Sequence, residues 1–187
     1  LGDGTITQRT TLVQIGTATD WTQVATANTT SYALKSNGTL WAWGSNTSGQ
    51  IGDGSTTQRN SPVQVGTATD WAAIAAGATH AAAVKTDGSL WAWGLNSAGQ
   101  LGNGSVTLVT SPVRIGTQTG WVSVSCGQLH TLAVRNDGSV WTAGNNASLR
   151  LTSAAGRSQY AVAPVLPALS SQTINTTPVG TNPYRFT

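Results

Sequence analysis

The stretch Trp71-Ala-Ala-Ile-Ala-Ala-Gly77-Ala-Thr-His80-Ala-Ala-Ala-Val-Lys85-Thr-Asp87-Gly88-Ser-Leu90-Trp91-Ala-Trp93-Gly94-Leu-Asn96-Ser-Ala-Gly99-Gln100-Leu-Gly102 decides the fold. Its first six residues read as a short apolar strand, and Gly77 to His80 turn the chain. Residues 81–85 read as a second strand. Asp87-Gly88 is a strong signal for a two-residue hairpin loop of type I′, which needs positive φ at both positions. Residues 90–94 form a third strand, with Leu90 and Ala92 alternating against Trp91 and Trp93. A glycine-rich connection runs on to Gly104. Pro112-Val-Arg-Ile115 then reads as a fourth, edge strand, where a proline at the strand start is tolerated. Four short antiparallel strands in about 50 residues make one blade of a β-propeller.

The same pattern recurs on both sides. Trp21, Trp71 and Trp121 are 50 residues apart, as are Trp41, Trp91 and Trp141, and Asn46, Asn96 and Asn146. Aligned without gaps, residues 1–50 and 51–100 are identical at 27 positions, and 51–100 and 101–150 at 21. Asn37-Gly38 and Asp137-Gly138 repeat the hairpin signal. A period of this length without helical hydrophobic periodicity means stacked or radially arranged β units.

Composition agrees. Nine Lys+Arg, six Asp and no Glu or Met stand among 187 residues, beside 22 Gly and 30 Thr. So few helix formers exclude a helical bundle or coiled coil. At 39% apolar with eight Trp, the chain is not compositionally disordered. The apolar runs fall far short of the roughly 18 residues a membrane helix needs, so no membrane span is expected. The net charge of +3 comes without any basic run, and nucleic acid is not an expected partner.

With the string Gly77-x-x-His80, Asp87-Gly88, Trp93-Gly94-x-Asn96 and Gly99-Gln100-Leu101-Gly102 in register, the chain resembles the regulator-of-chromosome-condensation (RCC-type) repeat family, above all its bacterial members. The resemblance covers roughly residues 1–166 and implies a β-propeller. The Trp-Asp dipeptide of the WD type is missing. The outer units depart from the pattern. Thr30 replaces the His of the later units, and Leu12 stands at the position of Pro62 and Pro112. In the third unit Ala143 replaces the second Trp, and Leu149-Arg150 replace the Gly-Gln pair.

The expected architecture is therefore all-β: blades at 21–66, 71–116 and 121–166, an orphan N-terminal edge strand within 1–16, and an extended tail or linker at 170–187. Three blades cannot close a ring of roughly four to eight. The chain is expected to be a segment of a longer propeller or a unit that associates head to tail. Its start at Leu1 and lack of Met fit the former. Residues 1–16 are expected to pair with inner strands outside the three blades.

Little in the sequence points to chemistry. The six Asp fall on three recurring positions: Asp3 with Asp53, Asp20 with Asp70, and Asp87 with Asp137. A catalytic site occurs once, whereas a scaffold position recurs, so these side chains are expected to bond the local backbone. His80 and His130, one per unit, lack the further ligands of a zinc site. In related repeats this His lies near the central channel. The lone Cys126 reads as a small buried residue, and the Trp pairs 41/43 and 91/93 as packing between blades. Gly52-Asp-Gly54 and Gly102-Asn-Gly104 lack the rest of a phosphate-binding motif. No catalytic, cofactor-binding or metal-binding set is expected.

The leading functional expectation is a non-enzymatic interaction or assembly module, extracellular or at the cell surface, whose partner is another protein or further copies of itself. The alternative is a structural subunit of an extracellular filament or sheath. The resemblance also brings in nucleotide exchange on a small nuclear GTPase and inhibition of β-lactamase. The constant 50-residue spacing leaves no room for the loop insertion that exchange requires.

Overall fold

The computed structural model describes residues 1–147 and the backbone of 159–164. Among these residues there is no helix, and none is long and apolar enough to cross a membrane as a helix. The strands form three antiparallel sheets. The first is β1 (Trp21–Thr26), β2 (Thr30–Lys35), β3 (Leu40–Gly44) and β4 (Arg59–Gln64). The second is β5 (Trp71–Ala76), β6 (His80–Lys85), β7 (Leu90–Gly94) and β8 (Val109–Arg114). The third is β9 (Trp121–Cys126), β10 (His130–Arg135), β11 (Val140–Gly144) and β12 (Gln159–Pro164). Together they make an incomplete propeller arc. The extended tail expected at 170–187, and the Leu149-Arg150 departure, lie outside the described residues.

Two local readings are corrected. The hairpin between β6 and β7 is not a two-residue type I′ loop. Gly88 N–H donates to the Lys85 carbonyl at 2.9 Å, and Lys85 N–H to the Ser89 carbonyl at 3.0 Å. This is a three-residue loop, in which a tight turn ends on Gly88 at φ 74°. The Asp87 carboxylate then accepts the Ser89 N–H at 2.9 Å and its hydroxyl at 2.6 Å, which favours this geometry. The fourth strand also begins earlier than expected, at Val109, so Pro112 lies inside it. The register passes from Ala92↔Val113 to Gly94↔Val109, so residues 110–112 bulge opposite Trp93. A proline loses no ladder hydrogen bond in such a bulge.

No blade has a core of its own, because each is a single sheet one residue thick. The core lies between blades. Tyr32, Leu34, Leu40, Ala42, Ile51 and Val65 of the first unit pack on Trp71, Ile74, Ala81, Ala83 and Trp93 of the second. Ala82, Val84, Leu90, Ala92, Leu101 and Ile115 pack in the same way on Trp121 and Ala133 of the third. Backbone bonds join the same surfaces. Trp71 N–H donates to Gly38 O at 3.1 Å and Trp121 N–H to Gly88 O at 3.0 Å. A Cβ on Gly38 would lie 2.1 Å from the Thr69 carbonyl oxygen, so the hairpin glycine is required for this approach as well as for its φ.

The N-terminal segment behaves in two ways. Residues 1–4 are docked: Trp43 Nε1 donates to Leu1 O at 3.1 Å, and Gly4 N–H to Asn60 O at 3.0 Å. Residues 9–14 align with β4 and β8 but lie in no sheet, and Leu12 is fully exposed.

Equivalent positions on the two sides of the arc make the energetics testable. Ile74 is 5% exposed under the first blade, whereas Val24, at the same position of the first blade, is 69% exposed. Ile74→Ala is expected to cost about 2–5 kcal/mol in urea unfolding, and Val24→Ala less than about 0.5 kcal/mol.

Candidate interaction surface

The polar residues of the repeat string are mostly occupied with holding the blades. Asn96 Oδ1 accepts the Leu101 N–H at 3.0 Å, while its amide donates to Asn103 Oδ1 and Ser105 O at 3.0 and 2.9 Å. Asn46 does the same with Ile51, Asp53 and Ser55. Each Asn is wholly buried and staples the long connection between third and fourth strands. Gln50 O accepts the Tyr32 hydroxyl of its own blade at 2.6 Å and, across the junction, Trp93 Nε1 of the next blade at 2.9 Å. That desolvated environment pushes the Tyr32 phenol well above its ordinary pKa.

The aspartates divide into three roles. Asp87 and Asp137 cap their own hairpins through Ser89 and Ser139, as expected of residues that bond the local backbone. Asp3 and Asp53 also bond the backbone, two residues on, and each accepts an Arg, Arg9 Nε at 2.6 Å and Arg59 Nε at 2.7 Å. The Thr5 N–H, with Arg9, holds the Asp3 carboxyl at about 2. Asp20 and Asp70 depart from the expectation. They pair with Lys35 at 3.0 Å and Lys85 at 2.8 Å. The ammonium of Lys85 also lies 4.8 and 4.7 Å from the Trp71 and Trp91 ring centres. The strand-entry Trp and the third-strand Trp thus clamp a lysine edge-to-face, a cation–π contact, and the carboxylate settles on that lysine rather than on the backbone.

The histidines are linked to the glycines three residues before them. His80 is fully buried, and its Nε2 lies 2.9 Å from Thr131 Oγ1 on the third blade. That hydroxyl donates to Gln100 O at 2.8 Å, so the shared proton of the first contact sits on His80 Nε2. A Cβ on Gly77 would fall 2.2 Å from His80 Cε1, and one on Gly127 would fall 2.1 Å from His130 Cε1. The glycine makes room for the imidazole. In the first unit the pair changes together, to Ala27 and Thr30. Burial first, and the nearby His130 second, hold His80 down at about 4, so the ring is neutral. Cys126 is partly buried, with Sγ 3.8 Å from Thr131 Oγ1, and burial pushes its thiol up to about 12. A thiol so held is a poor nucleophile. Among the described residues no three His, Cys or Asp cluster as metal ligands would.

The turns that enter β2, β6 and β10 converge at one end of the arc. They line a polar concave mouth of about 520 Å³. Two of its positions differ in all three units: Thr26, Ala76 and Cys126, and Asn28, Ala78 and Gln128. Sequence reasoning passed over them because they match no motif. Their one sequence signal is variation between units, which other positions such as Thr22/Ala72/Val122 and Tyr32/Ala82/Leu132 share.

Fold and scaffold define an arc of β-propeller blades joined by repeated inter-blade bonds. The regulator of chromosome condensation (RCC1) repeat model matches residues 37–84 and 87–134, and a second model of that repeat matches 21–50, 71–100 and 121–148. The chain belongs to the RCC1 repeat family. No curated protein matches the chain. Among solved structures it is similar to human WBSCR16, at 22% identity and a TM-score of 0.69 over 77% of this chain and 37% of that one. Yeast RCC1 (Prp20) bound to Kap60 matches at 19% identity and a TM-score of 0.70, over 81% and 38%. Prp20p from Saccharomyces cerevisiae, studied with its binding to Gsp1p and histones, matches at 23% and 0.66, over 80% and 40%. These likenesses concern the fold. The chain spans about two-fifths of the length of each.

Gly77→Ala is expected to destabilise the protein by about 1–3 kcal/mol through overlap with the imidazole. Adding His80→Thr, which reproduces the Ala27/Thr30 pair, is expected to recover part of the loss. A double-mutant cycle from urea unfolding measures that coupling. The neutral His80 also predicts a pH dependence. Its folded value near 4 lies below the unfolded value near 6.5, so the unfolded chain binds the extra proton between them. Stability is full above about 6.5 and falls on the order of 3 kcal/mol as pH drops to about 4. Thermal melts should show this slope flattened in His80→Thr.

Proposed function

We propose that the chain is a non-enzymatic protein-interaction module whose contact surface is the mouth where the three turns meet. The observation that carries this reading is the pattern of variation. Scaffold positions such as Asn46 and Asn96 recur from unit to unit and are committed to hydrogen bonds within the frame, while residues 26, 28, 76, 78, 126 and 128 differ and line one concave surface. Such a surface is asymmetric although the frame is repetitive, which is what selective recognition of one partner needs. The Prp20 structures, whose subjects bind proteins, support protein as the class of partner. Guanine-nucleotide exchange and enzyme inhibition rest on family resemblance alone and draw on no particular residue here. The scarcity of charge and abundance of Thr, Ser, Asn and Gly support an extracellular bacterial setting, which surface labelling and fractionation of the source cells would test.

A partner captured on the purified chain should cross-link to residues 26–28, 76–78 or 126–128 and be lost on Asn28→Arg with Gln128→Arg, with the melting temperature unchanged. Cross-links confined to other surfaces, or a turnover abolished by His80→Ala, would overturn the reading.

A second reading has its own observation. Leu1, Ile6, Leu12, Val13 and Val24 are five of the nine exposed large apolar residues among those described, and all belong to the N-terminal segment and the open side of the first blade. This favours a self-assembling structural subunit, built by head-to-tail completion of blades.

A further inference from the structure

We propose that Asn37 is a site of self-modification: its side-chain amide condenses with the Gly38 nitrogen, ammonia leaves, and water opens the resulting ring to aspartate or isoaspartate. The first hairpin then gains the negative charge that the second and third carry from the start.

Three hairpins occupy one register of the repeat, and the residue before the glycine sets the first apart. Asn37-Gly38-Thr39 stands where the later units have Asp87-Gly88-Ser89 and Asp137-Gly138-Ser139. The loops are built alike. Asn37 Oδ1 accepts the Thr39 N–H at 3.1 Å and its hydroxyl at 2.7 Å, and Trp41 Nε1 donates to Thr39 Oγ1 at 2.9 Å. Asp87 Oδ1 holds Ser89 in the same way, with Trp91 Nε1 on the serine hydroxyl at 2.8 Å. An ionised carboxylate is a poor electrophile toward an amide nitrogen. The hydroxyl and N–H of Ser89 and Ser139 keep Asp87 and Asp137 ionised by holding their carboxyls below the ordinary range. The carboxamide of Asn37 has no such charge. Its oxygen carries the same two donors, which stabilise the negative charge that develops there when nitrogen attacks Cγ.

Asn37 is exposed, and Gly38 has no side chain to bar its nitrogen from the preceding Cγ. In the closed loop the Gly38 N–H donates to the Lys35 carbonyl at 2.9 Å. That bond has to open and the proton has to leave before nitrogen attacks, so the reaction is gated by the hairpin and is faster in base. The step balances. A bond forms between Gly38 N and Asn37 Cγ, the Cγ–Nδ2 bond breaks, ammonia carries off the displaced proton, and ring opening consumes one water. The direction of opening decides the effect on the fold. The α-linked aspartate reproduces the Asp87 hairpin. Isoaspartate places an extra methylene in the main chain before Gly38. Gly38 O accepts the Trp71 N–H at 3.1 Å, and the Thr69 carbonyl oxygen stands 2.1 Å from where a Cβ on Gly38 would lie. A displaced Gly38 loses the bond to Trp71, and the junction of the first and second blades loosens. The other Asn-Gly pair, Asn103-Gly104, is held differently. Asn103 Oδ1 accepts the amide of the buried Asn96 at 3.0 Å, so its loop opens only with that staple. The Asn37 hairpin lies at the end of β2 away from the turn mouth and borders an open crevice of about 830 Å³ between the blades, lined also by Gln23, Thr69 and Thr86. The new charge enters that crevice and leaves the mouth unchanged.

The purified chain is incubated in mildly alkaline and in mildly acidic buffer and followed by ion-exchange chromatography, with ammonia assayed in parallel. The expected result is an acidic species that accumulates faster in base, with one ammonia released per chain converted. Peptide mapping by tandem mass spectrometry should place aspartate or isoaspartate at residue 37. Asn37→Gln, whose longer side chain would have to close a larger ring, should form no such species. Asn37→Asp should elute with the acidic species from the outset and melt as the unmodified chain does. The isoaspartate form should melt lower and exchange its Trp71 amide proton faster. Absence of an acidic species, charge gained at Asn103 or elsewhere with residue 37 intact, or an isoaspartate form that melts and exchanges like the unmodified chain would overturn the proposal.

Discussion

A single antiparallel sheet of four short strands has two faces and no interior. Everything in this protein follows from the need to cover those faces with the next sheet. The Tyr32, Leu34 and Leu40 side of one blade meets the Trp71, Ile74 and Trp93 side of another, and at the same surface Gln50 O accepts the indole N–H of Trp93. Apolar burial is non-directional and cannot set the angle between two sheets. The crossing hydrogen bonds and the glycine contacts at Gly38 and Gly88 are directional and do so. The repeat string is best understood as the list of residues this junction requires.

That constraint also occupies many of the side chains that usually signal chemistry. Asn46 and Asn96 are consumed in stapling connections, the carboxylates in hairpin caps and ion pairs, and His80 in a bond across to Thr131. Among the positions that vary between units, 26, 28, 76, 78, 126 and 128 share one concave surface at the turn mouth. The frame by itself specifies no particular function, since fold and function are separable.

Much of this was legible in the sequence because the signals are periodic. Three copies of one string make an accidental match improbable, and the strand order and the all-β arc could be read from it. The structure corrected what depends on local competition. Asp87-Gly88 is a signal for a two-residue loop, but the carboxylate's bond to Ser89 N–H favours a three-residue one. Asp70 sits one residue before Trp71, a position from which it could bond the backbone, yet Lys85 lies between the Trp71 and Trp91 rings and draws it there. The mouth residues carry no motif and were visible only as differences between units.

The sequence by itself determined the unit: four strands, their turns, and a surplus of buried-type residues on both sides of each sheet. Hydrophobic period and turn chemistry are local, and a 50-residue repeat states them three times. Tertiary structure alone decided which residues meet across units, and so why Gly77 must be glycine when residue 80 is histidine, and why Val24 is bare while Ile74 is covered. Those are facts about neighbouring blades, and a blade at the end of an arc has the same sequence pattern as one in its middle.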